Sequence, residues 1–76
     1  MSEEEIVLYE VDRHVATITL NRPRQRNALL VETLERLGQL WKEIDRDPDV
    51  RVAILTGSDC GTFCAGMDLK QMAEVR

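Results

Sequence analysis

Hydrophobic and polar positions alternate near the start of the chain. Ala16, Ile18 and Leu20 share one side of an extended segment, and the threonines between them face the other side. A period of two residues is typical of a half-buried β-strand. The segment that precedes it is also rich in β-forming side chains, and Asp12-Arg13 between the two favours a turn. The pattern therefore predicts an antiparallel hairpin over about residues 6–20.

The period changes after Pro23, which cannot donate to a strand ladder and so ends the hairpin. Apolar side chains then recur at helical spacing at Leu30, Leu34, Leu37, Trp41 and Ile44, and Leu40 widens this stripe. The spacing predicts a helix over about residues 29–46, with Leu34, Leu37, Trp41 and Ile44 packed on the sheet. The segment Asp47-Pro48-Asp49 is predicted to end this helix.

The most apolar short run is Val52-Ala53-Ile54-Leu55, which shows no alternation. Such a run predicts a strand that is buried on both faces, as in a parallel sheet. A strand, a helix and a second strand in this order predict a right-handed crossover unit. The fold class predicted is therefore α/β.

A glycine-bearing loop follows this strand and contains three of the four glycines of the chain. Asp68 and Gln71 have the spacing of a capping box, in which Asp68 accepts from the first helical turn and Gln71 reaches back to it. The loop lacks G-x-G-x-x-G and the Gly-Lys-Ser/Thr ending of a P-loop, so a nucleotide phosphate cradle is not indicated. What the loop can offer is backbone N–H groups beside a helix start, which suit a developing oxyanion.

Composition narrows the functional classes. The 76 residues are enough for one small domain, and 14 acidic against 10 basic residues give a net charge of −4, which argues against general nucleic-acid binding. No apolar run reaches the roughly 20 residues of a membrane span. The start Met-Ser-Glu-Glu-Glu is unlike a signal peptide. Cys60 and Cys64 have no neighbouring histidine to complete a zinc site, so we expect free thiols, no bound metal and a reducing, cytoplasmic setting.

Four motifs in register now point to a family. The chain resembles the enoyl-CoA hydratase/isomerase (crotonase) family from about residue 6 to residue 72, with matching motifs at 14–23, 26–29, 52–57 and 62–69. The resemblance implies a spiral of ββα units. It makes residues 1–76 an incomplete N-terminal part of a crotonase-fold domain: a hairpin, a long helix, a parallel strand, the oxyanion loop and the start of a second helix.

The resemblance also implies a site. Family members bind acyl-CoA thioesters and stabilise the thioester enolate with two backbone N–H groups, of which the first falls here on Met67. It implies CoA contacts at seven further residues, namely Arg24, Arg26, Ala28, Cys64, Ala65, Asp68 and Leu69. A CoA thioester is then the substrate, no tightly bound cofactor is needed, and the complete chain is expected to form a homo-oligomer.

Several alternatives remain open at this stage. Asp68 suits a helix cap better than a catalytic acid, and the arginines at 22, 24 and 26 suit either solvated loop charge or a phosphate contact. Leu30 stands where the family often has a serine or threonine cap, so the helix start is expected to be less well fixed. The segment that supplies the second donor and the catalytic glutamates lies beyond residue 76 by motif order. The isolated residues are therefore expected to be inactive, and a non-catalytic fragment that binds CoA or a protein is the alternative function.

Overall fold

The computed structural model describes residues 5–75, and the predicted absence of a signal peptide concerns residues outside this range. A single three-stranded sheet lies beside two helices, in the order β1 (Val7–Asp12), β2 (Val15–Leu20), α1 (Val31–Arg46), β3 (Val52–Gly57) and α2 (Leu69–Val75), with a 3-10 turn at Pro23–Gln25. β2 is central, antiparallel to β1 and parallel to β3. The predicted α/β arrangement is confirmed. Among the described residues, no helix combines the length and apolarity that crossing a bilayer requires.

The hairpin turn lies one residue later than predicted. Asp12 still pairs with Val15, and the two turn residues are Arg13 and His14, whose φ angles are 53° and 73°. Two consecutive left-handed residues match the twist of the flanking strands, which is why this geometry recurs in two-residue hairpins. His14 Nδ1 lies 2.8 Å from the Asp49 carbonyl oxygen and so ties the turn to the segment before β3.

The core lies between the hairpin and α1. Ala16, Ile18 and Leu20 are at most 3% exposed, which confirms the face assigned to β2 from alternation. Ile18 forms one buried cluster with Val7 and Leu40, against which four further side chains pack: Ile6, Tyr9, Leu37 and Ile44.

The predicted helix stripe is only half right. Leu37 and Ile44 pack on the core and Leu40 is fully buried, whereas Leu34 and Trp41 are 44% and 43% exposed. Each residue turns an α-helix by about 100°, so Leu34 and Trp41 lie roughly a quarter turn or more away from Leu40. The face that meets the sheet is centred on Leu40.

The predicted burial of β3 is wrong for the described chain. Val52, Ile54 and Leu55 are 54%, 46% and 38% exposed. The strand is at the edge of the sheet, and α1 packs against β1 at the other edge. The apolar run therefore forms an exposed strand edge with unpaired backbone groups.

Candidate functional site

A single backbone bridge places the glycine loop beside the start of α1. Leu29 donates its N–H to the Gly66 carbonyl oxygen at 2.7 Å, and Asp68 donates its N–H to the Leu29 carbonyl oxygen at 2.8 Å. In this parallel pattern the residue between the two bonded neighbours, Met67, directs its own N–H away from Leu29. Within residues 5–75 the Met67 N–H donates to no protein acceptor. It is a fixed donor with free capacity.

Gly66 makes the bend that presents Met67. Its φ of +95° is a conformation that L side chains rarely adopt, and its N–H lies 3.4 Å from the Cys64 sulfur. Cys64 and Cys60 are both free thiols, as predicted. Across the described part of the chain, no group of three or more His, Cys, Asp or Glu side chains is arranged to hold a metal ion.

Asn27 joins the basic loop to the glycine loop. Its side chain is buried, with 1% exposed, and its backbone is left-handed at φ 59°. Oδ1 accepts from the Arg22 N–H and from the Ser58 hydroxyl, both at 2.9 Å. Nδ2 donates to the Thr62 carbonyl oxygen at 3.0 Å and lies 3.3 Å from the Ser58 carbonyl oxygen. One amide therefore connects the segment after β2 to the start and the middle of the glycine loop.

Gly57 lets the loop close over Asn27. A Cβ atom at Gly57 would lie 2.5 Å from the Phe63 carbonyl oxygen and 2.8 Å from Asn27 Nδ2. The space that a side chain would need is occupied by backbone and by the buried amide.

Gly57→Ala is expected to destabilise the protein by about 1–3 kcal/mol, because the added methyl group must displace backbone atoms in the loop. Thermal unfolding measures this loss as a decrease in the melting temperature of about 4–8 °C for each kcal/mol. Gly38→Ala is the matched control, since a Cβ there meets no atom within 4 Å. In the middle of α1 this alanine is expected to stabilise by about 0.5–1 kcal/mol. Equal melting temperatures for the two variants would contradict the close contact at Gly57.

Asp68 caps α2 and pairs with Arg22. Its Oδ1 accepts the Gln71 N–H at 3.0 Å, which confirms the predicted cap. Its Oδ2 lies 3.1 Å from Arg22 Nη1, and the two side chains are 14% and 17% exposed. The Gln71 N–H, and then the Arg22 guanidinium, hold the pKa of Asp68 below its ordinary value. A carboxyl group that stays ionised at neutral pH does not suit the role of catalytic acid.

Gln71 does not reach back to Asp68, contrary to the capping-box prediction. Its Oε1 accepts the Val31 N–H at 2.6 Å, and its Nε2 donates to Glu32 Oε1 at 2.9 Å, which lowers the pKa of Glu32. The Leu30 N–H donates to Thr33 Oγ1 at 3.1 Å. The start of α1 is thus fixed by Gln71 and Thr33 in place of a serine cap, which corrects the expectation of a loose helix start.

Comparison with known proteins gives the family. The model for the family described as enoyl-CoA hydratase/isomerase matches residues 10–76. The chain belongs to the enoyl-CoA hydratase/isomerase family. It is 51% identical over 63 residues to an enoyl-CoA hydratase of Mycobacterium tuberculosis, covering 83% of this chain and 23% of that protein. It is 46% identical over 65 residues to an (E)-benzylidenesuccinyl-CoA hydratase of Thauera aromatica, covering 86% of this chain and 25% of that protein.

Solved structures of this family share the fold. A crystal structure of an enoyl-CoA hydratase from M. tuberculosis H37Rv superposes with a TM-score of 0.86 at 45% identity, covering 91% of this chain and 31% of that chain. A Pseudomonas aeruginosa protein superposes with a TM-score of 0.89 at 42% identity, covering 100% of this chain and 33% of that chain. The chain spans about a quarter of the length of the curated relatives that it matches.

The structure brings some of the family-implied residues together. Ala28 precedes Leu29 in the bridge to Met67, and the Ala28 carbonyl oxygen accepts from Arg22 Nη1 at 2.9 Å. Asp68 follows Met67 directly. Cys64 is half-buried, while Ala65 and Leu69 are exposed, Leu69 by 82%.

The three arginines of the basic loop differ in whether their charge is exposed or is bonded within the protein. Arg24 and Arg26 lie at the 3-10 turn with exposed side chains that form no salt bridge to the described part of the chain. Arg22 is half-buried and bonded within the protein. The first two therefore keep their charge available to a ligand, and the third is structural.

Sequence reasoning assigned no contact to Asn27 and did not foresee the Arg22–Asp68 pair or the role of Gln71. A clue existed for Asn27, which belongs to a family-like motif and stands between a proline turn and an apolar helix. Arg22 also belongs to a family-like motif, but neither Arg22 nor Gln71 carries a clue to its partner, because the partners are distant in the sequence.

Proposed function

We propose that this chain is the N-terminal segment of an acyl-CoA-binding enzyme of the enoyl-CoA hydratase/isomerase type. In it, the Met67 N–H is one of two donors that stabilise a thioester enolate. The observation that carries the proposal is the free, fixed Met67 N–H beside the Leu29 bridge. When charge develops on the thioester oxygen, a donor already held in place stabilises it without reorganising.

The arginines at the 3-10 turn support CoA as the carrier of the acyl group. Arg24 and Arg26 are exposed, and guanidinium groups bind phosphate through charge-assisted hydrogen bonds. In this proposal they contact the CoA phosphates, Ala28 lies by the pantetheine arm, and the adenine lies against Cys64, Ala65 and the backbone of Asp68 and Leu69. The CoA thioester is the substrate, no tightly bound cofactor is required, and the complete protein is a homo-oligomer.

Isotope-edited infrared spectroscopy tests the donor directly. The complete protein that contains this segment is mixed with an acyl-CoA whose thioester carbonyl carries ¹³C, and the carbonyl stretch is compared with that of free ligand. We expect a shift to lower frequency, because a hydrogen bond to the oxygen polarises the carbonyl. Met67→Pro, which lacks the N–H, should lose a large part of the shift.

Met67→Ala is the matched control, since it shortens the side chain and keeps the N–H. It should retain the shift of the unaltered protein. A carbonyl that is polarised equally in Met67→Pro and Met67→Ala would refute the assignment of Met67 as a donor.

A further inference from the structure

Arg22 connects the two segments that meet at the Leu29–Met67 bridge. Its Nη1 donates to the Ala28 carbonyl oxygen at 2.9 Å and to Asp68 Oδ2 at 3.1 Å. Ala28 is next to Leu29 on one side of the bridge, and Asp68 is next to Met67 on the other. One guanidinium nitrogen therefore holds together the residues that adjoin both partners of the bridge.

We propose that the Arg22–Asp68 pair is a positioning device that sets the direction of the Met67 N–H and so raises kcat, while neither of the two side chains touches the substrate. The inference rests on the proposed function, because it assigns a role to residues that support the same donor. Arg22 and Asp68 are positioning residues in this account.

The loop needs such support on the side of Asp68. Gly66 precedes Met67 and has no side chain to restrict its backbone. The bridge holds the Gly66–Met67 peptide through the Gly66 carbonyl oxygen on one side and holds Met67 through the Asp68 N–H on the other. The ion pair anchors the chain beyond Met67 at a third point. A small error in the direction of a donor is costly in a reaction that depends on orientation.

The backbone of Arg22 is held in place by Asn27. Its N–H donates to Asn27 Oδ1 at 2.9 Å, and its carbonyl oxygen accepts the Asn27 N–H at 2.8 Å. Its side chain is 17% exposed, whereas the Arg36–Glu43 pair on α1 is 41% and 58% exposed with a contact of 3.9 Å. The Arg22–Asp68 pair is therefore the shorter and less screened of the two.

A double-mutant cycle on the complete protein tests the proposal. Arg22→Gln, Asp68→Asn and the double variant are assayed with an acyl-CoA substrate at a temperature where circular dichroism shows each to be folded. We expect kcat to fall about tenfold in each single variant with KM within about twofold. The double variant should be no slower than Arg22→Gln, because both single variants remove the Arg22–Asp68 contact and Arg22→Gln also removes the contact with the Ala28 carbonyl oxygen. Arg22→Lys, which keeps the charge, should recover part of kcat.

The controls separate positioning from stability. Arg36→Gln and Glu43→Gln remove the exposed pair and should leave kcat unchanged. If Arg22→Gln or Asp68→Asn does not fold, Arg22→Lys and Asp68→Glu replace them in the cycle, with a smaller expected loss of kcat.

The results that would overturn the inference are distinct from those that would overturn the proposed function. Unchanged kcat in the cycle, additive losses, or a loss that appears in KM alone would overturn the inference while a slow Met67→Pro variant still supported the oxyanion role. Normal turnover in folded Met67→Pro would remove the proposed function and this inference with it.

Discussion

Replacing Met67 by proline in the complete protein is expected to lower kcat by about 10²–10³-fold, the usual effect of losing one oxyanion donor. Proline has no N–H, and the Met67 N–H is the donor that the Leu29 bridge leaves free. Steady-state turnover of an acyl-CoA substrate measures the loss. Affinity for CoA should persist, because the proposed phosphate and adenine contacts lie at other residues.

Met67→Ala is the matched control and should be comparatively mild, since the donor is a backbone group. The proline removes no hydrogen bond within residues 5–75, as the Met67 N–H has no protein acceptor there. Circular dichroism must still show the variant folded, because proline restricts the residue before it. An ester in place of the Gly66–Met67 amide removes the same N–H without that restriction. Affinity that falls in parallel with turnover in either variant would contradict the oxyanion role.

The buried amide of Asn27 is expected to give the largest loss of stability. Asn27→Ala leaves the Arg22 N–H without its side-chain acceptor and leaves the Thr62 carbonyl oxygen with the Cys60 thiol as its donor. Each unsatisfied buried group costs about 1–3 kcal/mol, so the free energy of unfolding should fall by about 3 kcal/mol. That is a large share of the roughly 5–15 kcal/mol that holds a domain together. Urea denaturation followed by circular dichroism measures the change.

Two further variants separate the causes. Asn27→Gly also loses the amide but accepts the left-handed φ of 59°, so it should be more stable than the alanine variant by about 1 kcal/mol. Asn27→Asp keeps the acceptor and places an oxygen where Nδ2 faces the Thr62 and Ser58 carbonyl oxygens, so it should also be destabilised. An ordinary surface substitution changes the free energy of unfolding by at most about 0.5 kcal/mol. If all three variants stay within that range of the unaltered protein, the Asn27 network does not contribute to stability.

The elements of the fold were predictable because their patterns are local. Alternation at Ala16, Ile18 and Leu20 identifies a strand and its buried face from five consecutive residues, and the same face is buried in the structure. The helix and the apolar strand follow from period and length in the same way. The turn was predicted one residue too early, because Arg13 and His14 adopt left-handed conformations that their residue types do not indicate.

Burial was predicted less well, because it depends on what lies opposite. Leu34 and Trp41 belong to the apolar stripe of α1 by spacing, yet the sheet covers only the side centred on Leu40. β3 is apolar on both faces, but its position at the edge of the sheet leaves Ile54 exposed. An apolar side chain in the sequence indicates that a residue favours burial, but it does not indicate which neighbouring element will cover that residue.

Some features of the candidate site were likewise predictable from the sequence, and others depended on the tertiary structure. Sequence alone determined the strand, the glycine loop and the Asp68 cap, and motif position marked Met67. Only the tertiary structure decided where the Met67 N–H points and what holds it. The side-chain contacts around this loop are Arg22–Asp68 across 46 residues, Asn27–Ser58 across 31 and Val31–Gln71 across 40. Polar side chains such as these have no periodicity, and each can pair with many partners, so their hydrogen bonds are set only when the apolar pattern has brought the segments together.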